Sequence, residues 1–237
     1  MSKFTLLHHT DAEAIAQAAA IRLCDTIKAK GDSTFTIALS GGRIANPFYK
    51  NIASIAQDQA LDLSQVNFFW ADERCVPPTD PESNFKTANE LLFLPLDIQE
   101  SHIHRIAGEK DPKVAVADAI DELTRIASDW VDGTPVIDLA ILGMGEDGHT
   151  ASLFPEEPED ERANKALFRD VIAVKPPPQR VTMGYKVLIE ASEAWVLAPG
   201  AAKEAAMRDI TSEGSKLPLG QIIQGRSNTD IYTDIVL

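Results

Sequence analysis

ILGMGEDGHTASLFPEEP, residues 141–158, begins as an apolar strand and then passes through three glycines and a histidine before a proline interrupts it. The spacing of Gly143, Gly145 and Gly148 matches the pattern GxGxxG, which is typical of dinucleotide-binding turns. Such a turn needs a helix of ordinary length after the glycines and an acidic residue roughly 20 positions later to bind the ribose. The residues that follow therefore decide between a nucleotide site and a different site on an α/β fold.

Those following residues argue against a nucleotide cofactor. Pro155 ends the helical stretch TASLF after little more than one turn, and the next strand candidate, DVIAV (170–174), is followed by Lys175 rather than by an acidic residue. We therefore interpret the glycines as a tight turn at a strand end, because glycine adopts the backbone conformations that such turns need. The turn presents Asp147 and His149 beside backbone donors.

The segments on both sides of this stretch alternate between strands and helices. Strands are predicted at TFTIAL (34–39), VNFFW (66–70), VIDLAILG (136–143), DVIAV (170–174) and WVLAP (195–199). Helices are predicted from a capping box formed by Thr10 and Glu13 up to Gly31, at 47–57, at about 112–131 and from Ala201. This order predicts an α/β fold with a Rossmann-like, mostly parallel sheet, helices on both faces in three layers, and room for a small extra subdomain.

Composition limits the classes of function. The chain has 237 residues, 44% of them hydrophobic, so we expect residues 1–237 to form a single domain. Its formal charge of −14 argues against nucleic acid or an anionic membrane as a partner. The N-terminus lacks a signal-peptide pattern and no apolar run is long enough to span a bilayer, which predicts a soluble, cytoplasmic protein.

No metal site is expected from the sequence. Cys24 and Cys75 are too few for a disulfide framework or a four-ligand zinc site. His102 and His104 alternate in a short segment, but no third ligand accompanies them. Packing explains this histidine pair better than metal binding.

The loop SGGR (40–43) is the first candidate for anion binding, since ligands of parallel sheets lie beyond the carboxyl ends of the strands. Two glycines let backbone N–H groups face an anion, and a helix N-terminus follows. Ser40 and Arg43 add a hydroxyl and a guanidinium. The alternative is an ordinary strand-to-helix turn with incidental glycines.

Two further strand ends carry charged residues. In WADER (70–74), Asp72 can orient a substrate hydroxyl and Arg74 can bind an anion, although a surface ion cluster is the simpler interpretation. Lys203 follows Gly200 in the first turn of a predicted helix, where a lysine opposes the helix dipole. A bound anion explains that position, and a solvated lysine is the alternative.

Taken together, these loops resemble the 6-phosphogluconolactonase family, within a broader group that includes glucosamine-6-phosphate deaminase. The resemblance covers most of the chain and runs through SGG (40–42), WADER (70–74), SNF (83–85), LGMGEDGHTASLFP (142–155), PPPQRVT (176–182) and GAAK (200–203). The long central block is the most specific part. One departure is that the family usually continues SGG-x with Thr-Pro, whereas this chain has Arg43, Ile44 and Ala45.

The resemblance implies hydrolysis of 6-phospho-D-glucono-1,5-lactone to 6-phospho-D-gluconate in the oxidative pentose phosphate pathway. The partner is then a small phosphorylated sugar lactone, and no metal or organic cofactor is required. His149 is implied as the general base, with Asp72 orienting a ring hydroxyl or the histidine, and Arg74 stabilising the oxyanion or binding sugar oxygens. The implied substrate-binding set, which holds the phosphate, is Ser40, Gly41, Gly42, Arg43, Arg180 and Lys203.

Two other functions remain open at this point. Deaminases of the group resemble DEY where this chain has DER, and DGHIAFNEP where this chain has DGHTASLFP. The carboxylate after the histidine, which serves a proton relay in ring opening and isomerisation, is therefore missing here. The other alternative is a non-catalytic sugar-phosphate sensor, but a sensor has no need of a base such as His149.

Overall fold

The computed structural model of the protein describes residues 3–158 and 164–237. Its strands are β1 Thr5–His8, β2 Phe35–Leu39, β3 Val66–Trp70, β4 Asp72–Arg74, β5 Trp130–Val131, β6 Thr134–Pro135, β7 Leu139–Gly143, β8 Phe168–Ile172, β9 Gln179–Met183, β10 Glu193–Ala198 and β11 Asp230–Thr233. Its α-helices are α1 Ala12–Lys30, α2 Ala45–Asp58, α3 Asn84–Ala88, α4 Pro112–Ile126, α5 Tyr185–Glu190, α6 Glu204–Ile210 and α7 Pro218–Gly225.

Six of the strands form a parallel sheet in the order β1, β11, β10, β7, β2, β3. Every residue of β2 and of β3 is buried, which explains why both segments are apolar runs without strict alternation. From β2 the chain proceeds to β3 on one side, whereas β7, β10 and β11 follow one another on the other side. The space beyond the carboxyl ends of β2 and β7 is therefore the topological switch point, where ligands of such sheets bind.

Helices cover both faces of this sheet. Because parallel crossovers are right-handed, connections that run in opposite directions along the sheet place their helices on opposite faces. Helices α1 and α2 pack against each other, and their connections, β1 to β2 and β2 to β3, run in one direction along the sheet. Helices α6 and α7 belong to the connection from β10 to β11, which runs in the opposite direction. The predicted Rossmann-like, mostly parallel α/β fold is confirmed.

The first helix is capped by a residue one position later than predicted. The carboxylate of Asp11, not the hydroxyl of Thr10, accepts the free backbone N–H of Ala14 at 2.9 Å. Thr10 instead donates its hydroxyl to Asp11. The capping box predicted from Thr10 and Glu13 is therefore wrong, because an aspartate in the next position satisfies the same helix end.

Two other predicted elements differ from the structure. DVIAV was expected to be a parallel strand, but it overlaps β8, which pairs with β9 in an antiparallel sheet of order β4, β9, β8. The helix predicted to 131 ends at Ile126, and the residues after it form a β5–β6 hairpin. Asp132 and Gly133 turn this hairpin with φ values of 45° and 75°, a conformation for which Asp-Gly is well suited.

Ala71 joins the two sheets and is fully buried. Its N–H donates to Leu39 at the end of β2 at 2.8 Å, and its carbonyl accepts from Met183 at the end of β9 at 2.7 Å. A single residue between β3 and β4 is thus hydrogen-bonded to both the parallel and the antiparallel sheet.

Within residues 3–158 and 164–237, no helix has the length and apolar character needed to cross a membrane. That residues 1–237 form one domain stays a prediction.

Candidate active site

A cavity of about 530 Å³ opens at the topological switch point. Its lining comes from the loops that follow the carboxyl ends of β2, β3, β7 and β10, and from the end of the β8–β9 connection. The lining includes all of the groups predicted to bind or convert a ligand and adds several others: Ser40, Gly41, Gly42, Arg43, Asp72, Arg74, Asn84, Gly145, Glu146, His149, Lys175, Arg180, Lys203 and Asp234 among them. The one cavity therefore collects every sequence-predicted site residue.

His149 is fixed by the carboxylate two residues before it. Its Nδ1 lies 2.5 Å from Oδ1 of Asp147, and its backbone N–H donates to the same oxygen at 3.1 Å. An Nδ1–H held by a carboxylate leaves Nε2 as the nitrogen that can accept a proton. Burial alone would raise the pKa of Asp147, but the hydrogen bonds and charge of His149 outweigh it and lower that pKa.

The glycine-rich turn has the shape that this histidine requires. A Cβ on Gly145 would lie 2.1 Å from Nδ1 of His149, so only glycine allows the ring to fold back over the turn. Gly148 has a φ of +80°, in the left-handed region that glycine adopts without strain. The N–H of Gly145 also donates to the carbonyl of His149 at 2.9 Å, which closes the turn.

Asp72 is buried, and its carboxylate is held by two neighbours. Oδ2 accepts the hydroxyl of Ser152 at 2.7 Å, and Oδ1 accepts the side-chain amide of Asn84 at 3.4 Å. The sequence offered Asp72 as one possible partner of the histidine, but Asp147 is the carboxylate bonded to the ring. Asp72 thus stands as a separate, fixed acceptor at the wall of the cavity.

The SGG turn is locked to the loop after β4. A Cβ on Gly41 would lie 1.8 Å from Oδ1 of Asn84, so the two loops approach more closely than any other residue at position 41 permits. The backbone N–H of Asn84 in turn donates to the buried carboxylate of Glu73 at 2.8 Å. The hydroxyl of Ser40 donates to the carbonyl of Ile141 in β7 at 2.8 Å.

The four candidate cations fall into two pairs. Arg74 and Arg180 are cross-strand partners in the β4–β9 ladder. Lys203 lies near Arg43 instead: burial, and then the charge of Arg43, lower the pKa of Lys203, with Glu146 opposing. Arg180, which the expected phosphate set groups with Lys203, has Arg74, Asp72 and Glu82 as its charged neighbours.

Four residues of the site were missed or not given a role by the sequence argument. Asp147 orients the histidine, Asn84 and Ser152 fix Asp72, and the ring of Phe154 packs at 5.2 Å from the ring of His149. The spacing Asp-x-His was a signal for the first of these. Asn84 and Ser152 depend on contacts with Asp72 in another loop, for which a single sequence carries no local pattern. Phe154 lies in the same segment as His149, and the sequence argument gave it no role.

Comparisons with known proteins identify the family of this chain. Residues 10–231 match the family model described as glucosamine-6-phosphate isomerases/6-phosphogluconolactonase. A 6-phosphogluconolactonase of Aggregatibacter actinomycetemcomitans is 34% identical over 203 residues, which cover 84% of each chain.

Solved structures give the same result. The 6-phosphogluconolactonase of Trypanosoma brucei superposes with a TM-score of 0.84 at 26% identity, over 98% of this chain and 97% of that one. The 6-phosphogluconolactonase of Thermotoga maritima superposes with a TM-score of 0.80 at 25% identity, over 97% of this chain and 98% of that one. With the fold, the histidine turn and the family model in agreement, the chain belongs to the glucosamine-6-phosphate isomerase/6-phosphogluconolactonase family.

Proposed function

We propose that this protein hydrolyses 6-phospho-D-glucono-1,5-lactone to 6-phospho-D-gluconate in the oxidative pentose phosphate pathway, with His149 as the general base. The observation that carries the proposal is the Asp147–His149 pair, whose histidine lines the same cavity as the four candidate cations Arg43, Arg74, Arg180 and Lys203. An imidazole oriented by a carboxylate beside a cation-lined cavity suits the attack of water on an anionic ester.

The chemistry needs little assistance, because a lactone carbonyl is already electrophilic. Nε2 of His149 takes a proton from water as the water oxygen attacks C1, and Asp147 stabilises the imidazolium that forms. When the ring C1–O5 bond breaks, the imidazolium returns the proton to O5. Arg74, together with N–H groups of the turn at 143–148, stabilises the oxyanion between these steps.

The phosphate is assigned to the SGG turn with Arg43 and Lys203. Gly42 has a φ of +90°, and the turn lines the cavity and leads directly into helix α2, so the positive end of the helix lies beside the cavity. The positive charge of Lys203 lies at the positive end of the α6 dipole, and a bound anion offsets this repulsion. A protein with a charge of −14 can thus bind an anion at a local cationic site.

Phe154 favours lactone hydrolysis over isomerisation. Its ring packs at 5.2 Å from the ring of His149 and below the guanidinium of Arg180 at 5.9 Å. In the deaminase pattern the aligned position carries a carboxylate for the proton relay. An apolar ring at that place cannot move a proton between C1 and C2, whereas direct hydrolysis requires no such relay.

The test is the rate of lactone opening with freshly generated 6-phosphogluconolactone, after subtraction of the spontaneous rate. We expect the wild-type protein to accelerate opening, and His149→Ala to lose on the order of 10² to 10⁴ in rate. Near-normal turnover by His149→Ala would overturn the general-base role. Release of ammonia from glucosamine 6-phosphate would indicate a deaminase, and binding of 6-phosphogluconate without acceleration would indicate a sensor.

The remaining assignments follow from the proposed pathway. We place the protein in the cytoplasm, acting as a single domain on a small phosphorylated sugar, and not on nucleic acid or membranes. Cell fractionation with an enzymatic assay would test the location.

A further inference from the structure

Arg74 and Arg180 lie directly opposite each other on neighbouring strands. Residues paired in this way point to the same face of a sheet, and like charges in such a pair destabilise it. Both side chains line the active-site cavity. A pair of guanidinium groups therefore faces one wall of the cavity at an electrostatic cost.

The protein does little to neutralise this pair. Arg180 is only 7% exposed and donates to two backbone carbonyls, those of Pro177 at 3.1 Å and Lys175 at 3.3 Å. Arg74 donates to the carbonyl of Glu82 at 2.7 Å, and the Glu82 carboxylate is 3.5 Å away and more than half exposed. Among residues 3–158 and 164–237, the buried Nε of Arg74 has no hydrogen-bond partner.

The carboxylate nearest this pair is already engaged. Asp72 shares the face of β4 with Arg74, but its two oxygens accept from Ser152 and Asn84. Burial, followed by the charge of Arg74, lowers the pKa of Arg180, although Asp72 and Glu82 oppose that shift. The two guanidinium groups thus keep N–H donor capacity for an anion that the protein itself does not supply.

The phosphate site proposed above leaves that capacity unused. The proposed phosphate site uses Arg43, Lys203 and the SGG turn, and the charge that acts on Lys203 is that of Arg43. A lactone carries no other charge, but its hydrolysis product does. The water oxygen stays on C1, O5 leaves with the C1–O5 electron pair and is protonated, and the new carboxyl group releases its proton to solvent as a carboxylate.

We propose that Arg74 and Arg180 form a second anion subsite, which binds the carboxylate that hydrolysis creates at C1. This inference rests on the proposed function. Paired guanidinium groups match the planar geometry of a carboxylate and form charge-assisted hydrogen bonds with it. The cavity then holds the product at both ends, with the phosphate on Arg43 and Lys203 and the carboxylate on Arg74 and Arg180.

The test compares two ligands that differ only at C1. 6-Phospho-D-gluconate has the carboxylate, whereas 6-phospho-D-glucitol has a neutral CH₂OH in its place. Calorimetric titration of the wild-type protein should show tighter binding of the gluconate by about tenfold or more, as expected for hydrogen bonds between charged groups. We expect Arg180→Gln and Arg74→Gln each to remove most of this preference.

Affinity for the glucitol serves as the internal control, because a variant that still binds it has an intact pocket. The matched variant is Lys203→Gln, which should weaken both ligands by a similar factor and keep the preference. A wild-type protein without preference for the gluconate, or a preference that survives in both arginine variants, would overturn the subsite. The lactone assay tests the proposed function separately. If the wild-type protein shows the binding preference but does not accelerate lactone opening, the proposed function is wrong.

Discussion

A single oxygen, Oδ1 of Asp147, lies 2.5 Å from the ring Nδ1 of His149 and 3.1 Å from its backbone nitrogen. The carboxylate therefore fixes the rotamer of the ring and the path of the backbone together. A small displacement of Asp147 would move both. Removal of its charge tests how much of the histidine's activity depends on this contact.

Asp147→Asn should lower kcat by roughly 10- to 100-fold with little change in KM, a range typical of groups that orient a functional histidine. The amide keeps the size of the side chain but no longer stabilises an imidazolium. The coupled lactone assay measures both constants. Asp58→Asn, on the exposed end of α2, is the matched control and should leave both unchanged. A rise in KM alone would contradict the orienting role.

Acid should remove the stability that Asp147 contributes. Burial raises its pKa, but the hydrogen bonds and charge of His149 outweigh burial and hold it below 3.8. A folded-state pKa below the unfolded one gives stability that is present above the unfolded pKa and is lost as the pH falls through the folded pKa. The difference in unfolding free energy between wild type and Asp147→Asn should thus shrink below about pH 4. A difference that grows on acidification would contradict this sign.

Binding of phosphorylated ligands should weaken at alkaline pH through Lys203. Burial, and then Arg43, lower the pKa of this lysine from 10.5. Since an anion binds only the charged form well, affinity is full below the lowered pKa and falls as the pH rises through it. Lys203→Arg keeps its charge and should abolish the fall in a series of titrations with 6-phosphogluconate. An unchanged fall in this variant would place the titrating group elsewhere.

Gly41→Ala should cost about 10² in kcat/KM, because its Cβ would meet Oδ1 of Asn84 at 1.8 Å and displace a loop of the site. The control is the same substitution in an Asn84→Ala background, where the clashing atoms are gone. There the additional cost of Gly41→Ala should be small. Equal costs in both backgrounds would show that the two residues do not interact.

Ser152→Ala should lower the free energy of unfolding by about 1–3 kcal/mol, because it leaves a buried carboxylate oxygen of Asp72 without its donor. Urea unfolding measures the change. Ser212→Ala removes an exposed hydroxyl that donates to Asp209, and it should stay within about 0.5 kcal/mol of wild type. Equal effects of the two substitutions would contradict the importance of the Ser152 contact.

The central strands and the histidine turn could be predicted because their signals are local. β2, β3 and β7 are short apolar runs that lead into loops rich in glycine or charged residues, and the order of these loops carries the family resemblance. The hairpin at 130–135 also has a local signal, the turn Asp132-Gly133. The helix predicted before this turn nevertheless extends into the first strand of the hairpin. That error reflects competition between two local patterns.

The antiparallel sheet could not be predicted in the same way. β8 is as short as a strand of the parallel sheet, and its pairing with β9 places it in a separate sheet. Likewise, Arg180 pairs with Arg74 across more than a hundred residues, so its place beside Arg74 depends on strand register. Neither relationship leaves a periodic trace in the sequence.

Ala71 sets a limit on how this pocket can adapt to other ligands. Its N–H is bonded to the parallel sheet, which carries the SGG turn, and its carbonyl to the antiparallel sheet, which carries Arg180. The span between these two walls is therefore determined by main-chain hydrogen bonds and not by side-chain rotamers. A sugar phosphate with one carbon more or fewer would meet a pocket of fixed length, and substitutions of the lining residues alone would change its affinity without changing that length.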